Sequence, residues 1–462
     1  MLKKHQILLL TLLISACSLP SKALNNPFSM LPEWQLTYFK EPVFDSEIAI
    51  LETGDKNKQP IILIHGLGQL GMKDWFNIIP TLEKNYHVIA LDLPGFGLSG
   101  GAKGRFRPTN YAHVIAAVSR NYTTQKPIVM GHSMGGAVAL RYAEQYPQRV
   151  KQLILVDAAG LLEKSAFIKH IAAFEFGSQL PKVVQQQIEK VNEFSASVVE
   201  STTQSNFISH FLQNNDYAWN WLVSDSSNMN AALSLVEEDF SQAVEKIRIP
   251  VDIIWGEKDT VAPLRTGKVL NKQMKDARLQ IIPDAGHVPM KSHSSQFIDT
   301  LHTALNAPRN EQTSIPSIPS NILNKGTVIC RGEDAQVYSG YYDALIIESC
   351  DNVKLKNITL NALSIKGSVV DIENLSFVSE HNRIVISGSE ITMTNADISG
   401  NNPLILSGSR LDMAGVTIEA SGNGIEVSGG SRISASFCHM SSPNYTGPVH
   451  GLYYLSNQIG LE

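Results

Sequence analysis

Apolar residues in the first two thirds of this chain gather into short continuous runs at 61–64, 87–91, 128–130, 152–156, 251–255 and 279–282. Such runs suit strands buried on both faces of a parallel sheet. Helical patterns at 134–145, 264–274 and 295–305 lie among them, and this rotation of strand and helix predicts a mostly parallel sheet with helices on both faces. Two further strands are expected at 34–39 and 47–51, followed by a turn over 54–59. Between 158 and 247 the rotation stops and the chain becomes helical and aromatic, with Phe167, Phe174, Phe176, Phe194, Phe207, Phe211, Trp219 and Trp221. These aromatics read as the core of a helical cap rather than as a substrate-binding wall.

At 307–326 the pattern gives way to Pro, Ser and Asn, including Pro308, Pro316 and Pro319, which marks a linker. Beyond it the chain repeats. Ser387-Gly388-Ser389 recurs as Ser407-Gly408-Ser409 and more loosely as Ser428-Gly429-Gly430. The apolar positions Ile386, Ile391, Met393 and Ile398 recur as Leu406, Leu411, Met413 and Ile418, with weaker copies at Ile365, Val370, Ile372 and Phe377 and at Val353, Leu355 and Leu360. A period of roughly 17 to 22 residues in short alternating runs predicts stacked rungs of a parallel β-helix, each burying its inward Ile, Leu or Val against the next. The consensus leucines of a leucine-rich repeat are missing.

The N-terminus belongs to neither pattern. Lys3-Lys4 precede an apolar run from Ile7 to Ile14 that is too short to span a bilayer and suits a signal peptide. It ends Leu13-Ile14-Ser15-Ala16-Cys17, which resembles the lipobox of bacterial lipoproteins, so Cys17 is expected to carry the lipid that holds the chain at a membrane. Ser18 after it resembles the outer-membrane sorting pattern, placing the protein in the bacterial cell envelope. The expected division is signal peptide 1–16, tether 17–32, an α/β domain 33–306 with its cap at about 158–247, linker 307–326, and an all-β repeat domain 327–462. An exported chain can oxidise its cysteines, and Cys330 with Cys350 forms the plausible pair, leaving Cys438 over.

With 462 residues, 43% of them hydrophobic and 18% charged, the composition is that of an ordinary globular protein of two or more domains. The net charge of -5 and the lack of a dense Lys/Arg block speak against nucleic acid as a partner.

The chemistry centres on Gly131-His132-Ser133-Met134-Gly135-Gly136, a Gly-x-Ser-x-Gly string between a strand and a helix. It reads as a nucleophile elbow, a turn so tight that Ser133 needs small neighbours. Together with His65-Gly66-Leu67-Gly68 and Leu91-Asp92-Leu93-Pro94-Gly95-Phe96-Gly97, in this order, it resembles the α/β-hydrolase fold, and among its members bacterial lipases and esterases. The resemblance spans Glu33 to about Ala307 and leaves the repeats outside. It implies an α/β-hydrolase domain with a helical cap, followed by the domain of parallel β-helix type.

A serine hydroxyl needs a base, and the base an acid, in the chain order serine, acid, histidine. His287 follows the last strand, where the resemblance implies the base; His132 lies inside the elbow and His65 before the oxyanion turn. Asp259 holds the family's usual acid position. Glu257 competes, and Asp157 occupies an alternative acid position but is assigned to the strand end. Backbone amides of Leu67 and Met134 are implied as oxyanion donors, while Asp92, Pro94, Gly95 and Gly97 are given a structural role. No metal or nucleotide motif occurs, so cofactor-free catalysis is expected. A serine in the elbow argues against the dehalogenase and epoxide-hydrolase branches.

The expected activity is therefore hydrolysis of a small-molecule or lipid carboxylic ester through an acyl-enzyme. A carbon-carbon bond hydrolase or thioesterase would use the same triad. A non-catalytic surface lipoprotein, its β-helix gripping a glycan or a protein, is the reading from another class. Because all three triad residues precede the linker, the β-helix is expected to be separable from the active domain.

Overall fold

The computed structural model describes residues 34–162, 219, 223, 226–308, 324–455 and 459–460. The expected signal peptide, the expected tether with Cys17, most of the expected cap and most of the expected linker lie outside the described residues.

The first domain is built on an eight-stranded sheet in the order β1-β2-β4-β3-β5-β6-β7-β8. Its strands are β1 (Gln35–Lys40), β2 (Glu47–Thr53), β3 (Gln59–Ile64), β4 (Tyr86–Leu91), β5 (Ile128–His132), β6 (Gln152–Val156), β7 (Val251–Gly256) and β8 (Ala277–Ile282). From β4 onward all neighbours are parallel, and β2 joins β1 and β4 antiparallel. The continuous apolar runs are explained by two hydrophobic clusters, one on each face. Ile62, Ile64, Val129, Leu153 and Ile253 point to one, and Ile61, Leu63, Met130, Ile154 and Ile254 to the other.

The described helices are α1 (Ile79–Leu82), α2 (Pro108–Tyr122), α3 (Met134–Gln145), α4 (Ser227–Glu237), α5 (Ser241–Lys246), α6 (Leu264–Gln273), α7 (Pro289–Ser292) and α8 (Ser294–Asn306). Helix α2 is absent from the sequence reading. Its signals are a proline at the first helical position and a buried stripe of Tyr111, Val114, Ile115 and Val118. In the expected cap region, α4 and α5 are described, and Ala231, Leu235, Phe240 and Val244 join the domain core.

Past the linker, parallel strands stack as the repeats predict. One sheet runs β9 (Thr327–Arg331), β11 (Ala344–Glu348), β13 (Leu363–Lys366), β15 (Ile384–Ser387), β18 (Leu404–Ser407) and β21 (Ile425–Ser428). The other begins β10 (Val337–Tyr342), β12 (Val353–Leu360), β14 (Val369–Ser379), β16 (Glu390–Thr394), β19 (Arg410–Ala414) and β22 (Ser431–Ser441), and bends back through β20 (Thr417–Ala420) and β17 (Asp397–Gly400). Register puts Val353, Val370, Ile391, Leu411 and Ile433 in one buried column, the recurrence read from the sequence. The final strands reverse: β23 (Thr446–Leu455) pairs antiparallel with β22, and β24 (Ile459–Gly460) with β21. At the opposite end Cys330 and Cys350 form a disulfide, while Cys438 on β22 is free and buried, and that burial pushes its thiol pKa up to about 11.

The repeated serines have a further explanation. Ser368, Ser389, Ser409 and Ser431 stack inside one corner, and each hydroxyl oxygen accepts the backbone amide of Cys350, Ser368, Ser389 or Ser409 on the preceding coil at 3.0–3.2 Å. Three of the same hydroxyls donate to the carbonyls of Lys366, Ser387 and Ser407 at 2.8–2.9 Å, and Ser431 donates to Ser428 at 2.7 Å. A buried hydroxyl is tolerated because both its capacities are used.

Candidate active site

The elbow is built by steric necessity. Ser133 sits between β5 and α3 with φ 53° and ψ -122°, a conformation an L-residue adopts only when its surroundings hold it there. A Cβ on Gly131 would lie 2.1 Å from the carbonyl oxygen of Gly135, and one on Gly135 would lie 2.3 Å from that of Ile64. No side chain fits at either position, which gives the Gly-x-Ser-x-Gly spacing its cause. The amide of Ser133 donates to Val156 at the end of β6, tying the turn to the next strand.

Three of the sequence-derived residues converge here. His287, on the loop between β8 and α7, places Nε2 2.9 Å from Ser133 Oγ and Nδ1 2.8 Å from Asp259 Oδ2. The Asp259 carboxylate is fully buried, and its other oxygen accepts the amides of Val261 at 2.8 Å and Ala262 at 3.0 Å. Burial alone would raise its pKa, but the bond and charge of His287 and these two amides outweigh burial and hold it below the usual carboxylate range. Glu257, the competing acid, instead accepts the amide of Asp284 at 3.1 Å, away from His287.

Asp157 has a different state. It ends β6 at φ 43°, wholly buried, and its Oδ1 accepts the Gly256 amide at 2.8 Å, which ties the ends of β6 and β7 together. Burial first, and then the negative charge of Asp259, push its pKa well above the ordinary range. Its Oδ2 is buried and receives no donor among the described residues, which favours the neutral acid over the carboxylate there.

The expected oxyanion donors, Leu67 and Met134, lie on the two turns that flank Ser133. Met134 opens α3, so its amide is among the first-turn N–H groups that have no acceptor within the helix. The turn carrying Leu67 lies against the elbow, where a Cβ on Gly66 would come 2.9 Å from Ser133 Cβ. His65 fixes that turn: Nδ1 lies 2.6 Å from the Gly66 carbonyl, and Nε2 accepts the Leu93 amide at 3.0 Å. Asp92 accepts the amides of Met72 at 2.6 Å and Leu98 at 2.7 Å, which is the structural role expected of its turn.

One residue of the site has no role in the sequence reading. His132 Nε2 lies 2.7 Å from the backbone carbonyl of His287, with the two rings 5.1 Å apart. Burial, then the neighbouring His287, lower the pKa of His132 to about 4, so it is neutral at ordinary pH and its N–H donates to the loop that carries the candidate base. Its place beside the nucleophile was visible in the sequence, but its direction was not.

A serine on a strained elbow, a histidine bonded to it and a buried carboxylate behind the histidine together can activate a hydroxyl as a nucleophile. Residues 59–294 match the family described as the alpha/beta hydrolase fold, over half of the chain, and the chain belongs to that family. Its relatives include lipases and esterases. Over 247 residues it is 27% identical to Lipase 1 of Psychrobacter immobilis, covering 52% of this chain and 74% of that protein. Over 251 residues it is 28% identical to the pimeloyl-[acyl-carrier protein] methyl ester esterase of Edwardsiella ictaluri, covering 53% and 92%. An uncharacterised protein of Mycobacterium tuberculosis is 28% identical over 249 residues, covering 52% and 73%.

Proposed function

We propose that the chain hydrolyses carboxylic esters through an acyl-enzyme on Ser133. The observation that carries this reading is the unbroken line from Ser133 Oγ through His287 to Asp259, at 2.9 and 2.8 Å. Ser133 attacks the ester carbonyl carbon while His287 Nε2 takes its proton, and the Leu67 and Met134 amides receive the oxyanion. His287 then gives the proton to the leaving alcohol oxygen as the carbon-oxygen bond breaks. Water, activated by the same imidazole, attacks the acyl carbon and releases the acid and Ser133. The lipase and esterase names of two relatives support an ester as substrate.

The lipobox-like stretch ending at Cys17 supports a lipid-anchored enzyme of the bacterial cell envelope, with Ser18 favouring the outer membrane. The reaction is tested by offering p-nitrophenyl esters of graded acyl length to the protein lacking residues 1–17. Turnover that vanishes in Ser133→Ala is expected. Turnover of thioesters or of carbon-carbon substrates alone would move the reading to those reactions, and no turnover of any would favour a binding protein.

A further inference from the structure

Helix α6 begins five residues after Asp259 and presents Arg265, Lys268 and Lys272 on one face, at the spacing that aligns side chains along a helix. All three reach across to the β-helix, each to a different strand. Arg265, with a side chain only 12% exposed, places Nη1 2.8 Å from Asp412 Oδ2 on β19, while its Nε donates to Thr394 Oγ1 at 2.7 Å and its Nη2 to the Met393 carbonyl at 3.1 Å. Lys268 pairs with Glu373 of β14 at 2.5 Å, and Lys272 with Asp397 of β17 at 2.9 Å.

Packing follows the charges. Asn395 donates to the Lys268 carbonyl at 3.2 Å, and Ala414 and Phe437 of the β-helix join the hydrophobic cluster of the hydrolase domain. A Cβ on Gly415 would stand 3.2 Å from Val269 Cγ1, so the glycine lets the helix lie close.

The segment between Asp259 and Arg265 has little freedom. The amides of Val261 and Ala262 are bonded to Asp259, Trp255 Nε1 donates to the Ala262 carbonyl at 2.7 Å, and Pro263 leads into α6. A shift in the first turn of α6 therefore moves the donors that orient the carboxylate behind His287.

We propose that Arg265 is a positioning residue through which the β-helix holds Asp259 in place, so that the β-helix is part of the working hydrolase rather than a separable attachment. This rests on the triad of the proposed function, and it opposes the separability expected from the sequence.

The test uses the full chain carrying Arg265→Gln, read by turnover of p-nitrophenyl butyrate and by the low-field proton resonance of His287 Nδ1–H. We expect kcat to fall about tenfold with KM unchanged, since a small misplacement of a catalytic group is felt in the chemical step, and we expect the resonance to broaden or vanish. Reversal of the pair, Arg265→Asp with Asp412→Arg, should recover most of kcat. If Arg265→Gln does not fold, Asp412→Asn removes the same pair from its more exposed side and is read in the same way. A lowered Tm with wild-type kcat and an unchanged resonance would overturn the proposal. Should the wild type turn over no ester, the ester reading falls, while the resonance still decides the positioning role.

Discussion

Asp157 and Asp259 are neighbouring buried carboxyl groups whose pKa values are pushed in opposite directions, the first upward by burial and the charge of Asp259, the second downward, against its own burial, by His287. Only an ionised group can steady the imidazolium that forms when His287 takes the serine proton. Asp259→Asn should therefore lower kcat by roughly ten-thousandfold. Asp157→Asn, which keeps a neutral polar group there, should cost no more than about tenfold. Ester kinetics on the two variants check this, and the reverse ranking would make Asp157 the working acid.

Ser133→Ala and His287→Ala should each abolish turnover, and combining them should add nothing, because the groups act as one unit. Labelling by a fluorophosphonate should be lost in Ser133→Ala, and circular dichroism should show both variants folded. Full labelling of Ser133→Ala would place the nucleophile elsewhere.

The elbow and its glycines were legible because one local turn dictates them, and the order of strands and helices because alternating burial leaves a pattern at short range. The serine ladder was half legible: Ser387-Gly388-Ser389 repeats visibly, but only register reveals that Ser389 accepts an amide from Ser368, 21 residues earlier. The apolar stripe of helix α2 is present in the sequence, but the helix lies apart from the turns that carry the chemistry and is marked only by its leading proline. The seam at Arg265 was out of reach. Its partner Asp412 lies 147 residues away, and Arg265, Lys268 and Lys272 read alone look like an ordinary solvated face.

His132 should make the fold sensitive to acid. Its pKa lies near 4 in the folded protein against an ordinary 6.5, so between these values the unfolded chain binds the proton and the native state does not. Stability is complete above about pH 6.5 and declines as pH falls toward 4, by up to about 3 kcal/mol from this residue. His132→Gln should flatten that slope in denaturant titrations at pH 7 and pH 5. An unchanged slope would assign the acid sensitivity to other groups.

Ser389→Ala and Ser409→Ala should each destabilise the β-helix by about 1–3 kcal/mol, since each leaves a buried amide on the preceding coil without its acceptor. Replacing the half-buried Ser399, outside the ladder, should change little. Equal effects at all three positions in urea titrations would deny the ladder its role.

Cys17→Ser should release the chain from the membrane fraction under detergent partitioning, if the lipid at that residue is the anchor. Unchanged partitioning would show another mode of attachment.

The two ends of the β-helix are closed by different means, and this bears on how copies of the chain meet. A parallel coil leaves its terminal strand with unpaired amides and carbonyls, a template on which another chain could add. At the C-terminal end β23 runs back against β22 and β24 against β21, so an incoming parallel strand finds those edges occupied. At the other end the Cys330–Cys350 bond fastens β9 to the following coil, opposing the fraying that would bare a longer edge. Removal of residues 446–462 should thus turn a self-limited stack into one that associates end to end, with assembly size growing with protein concentration.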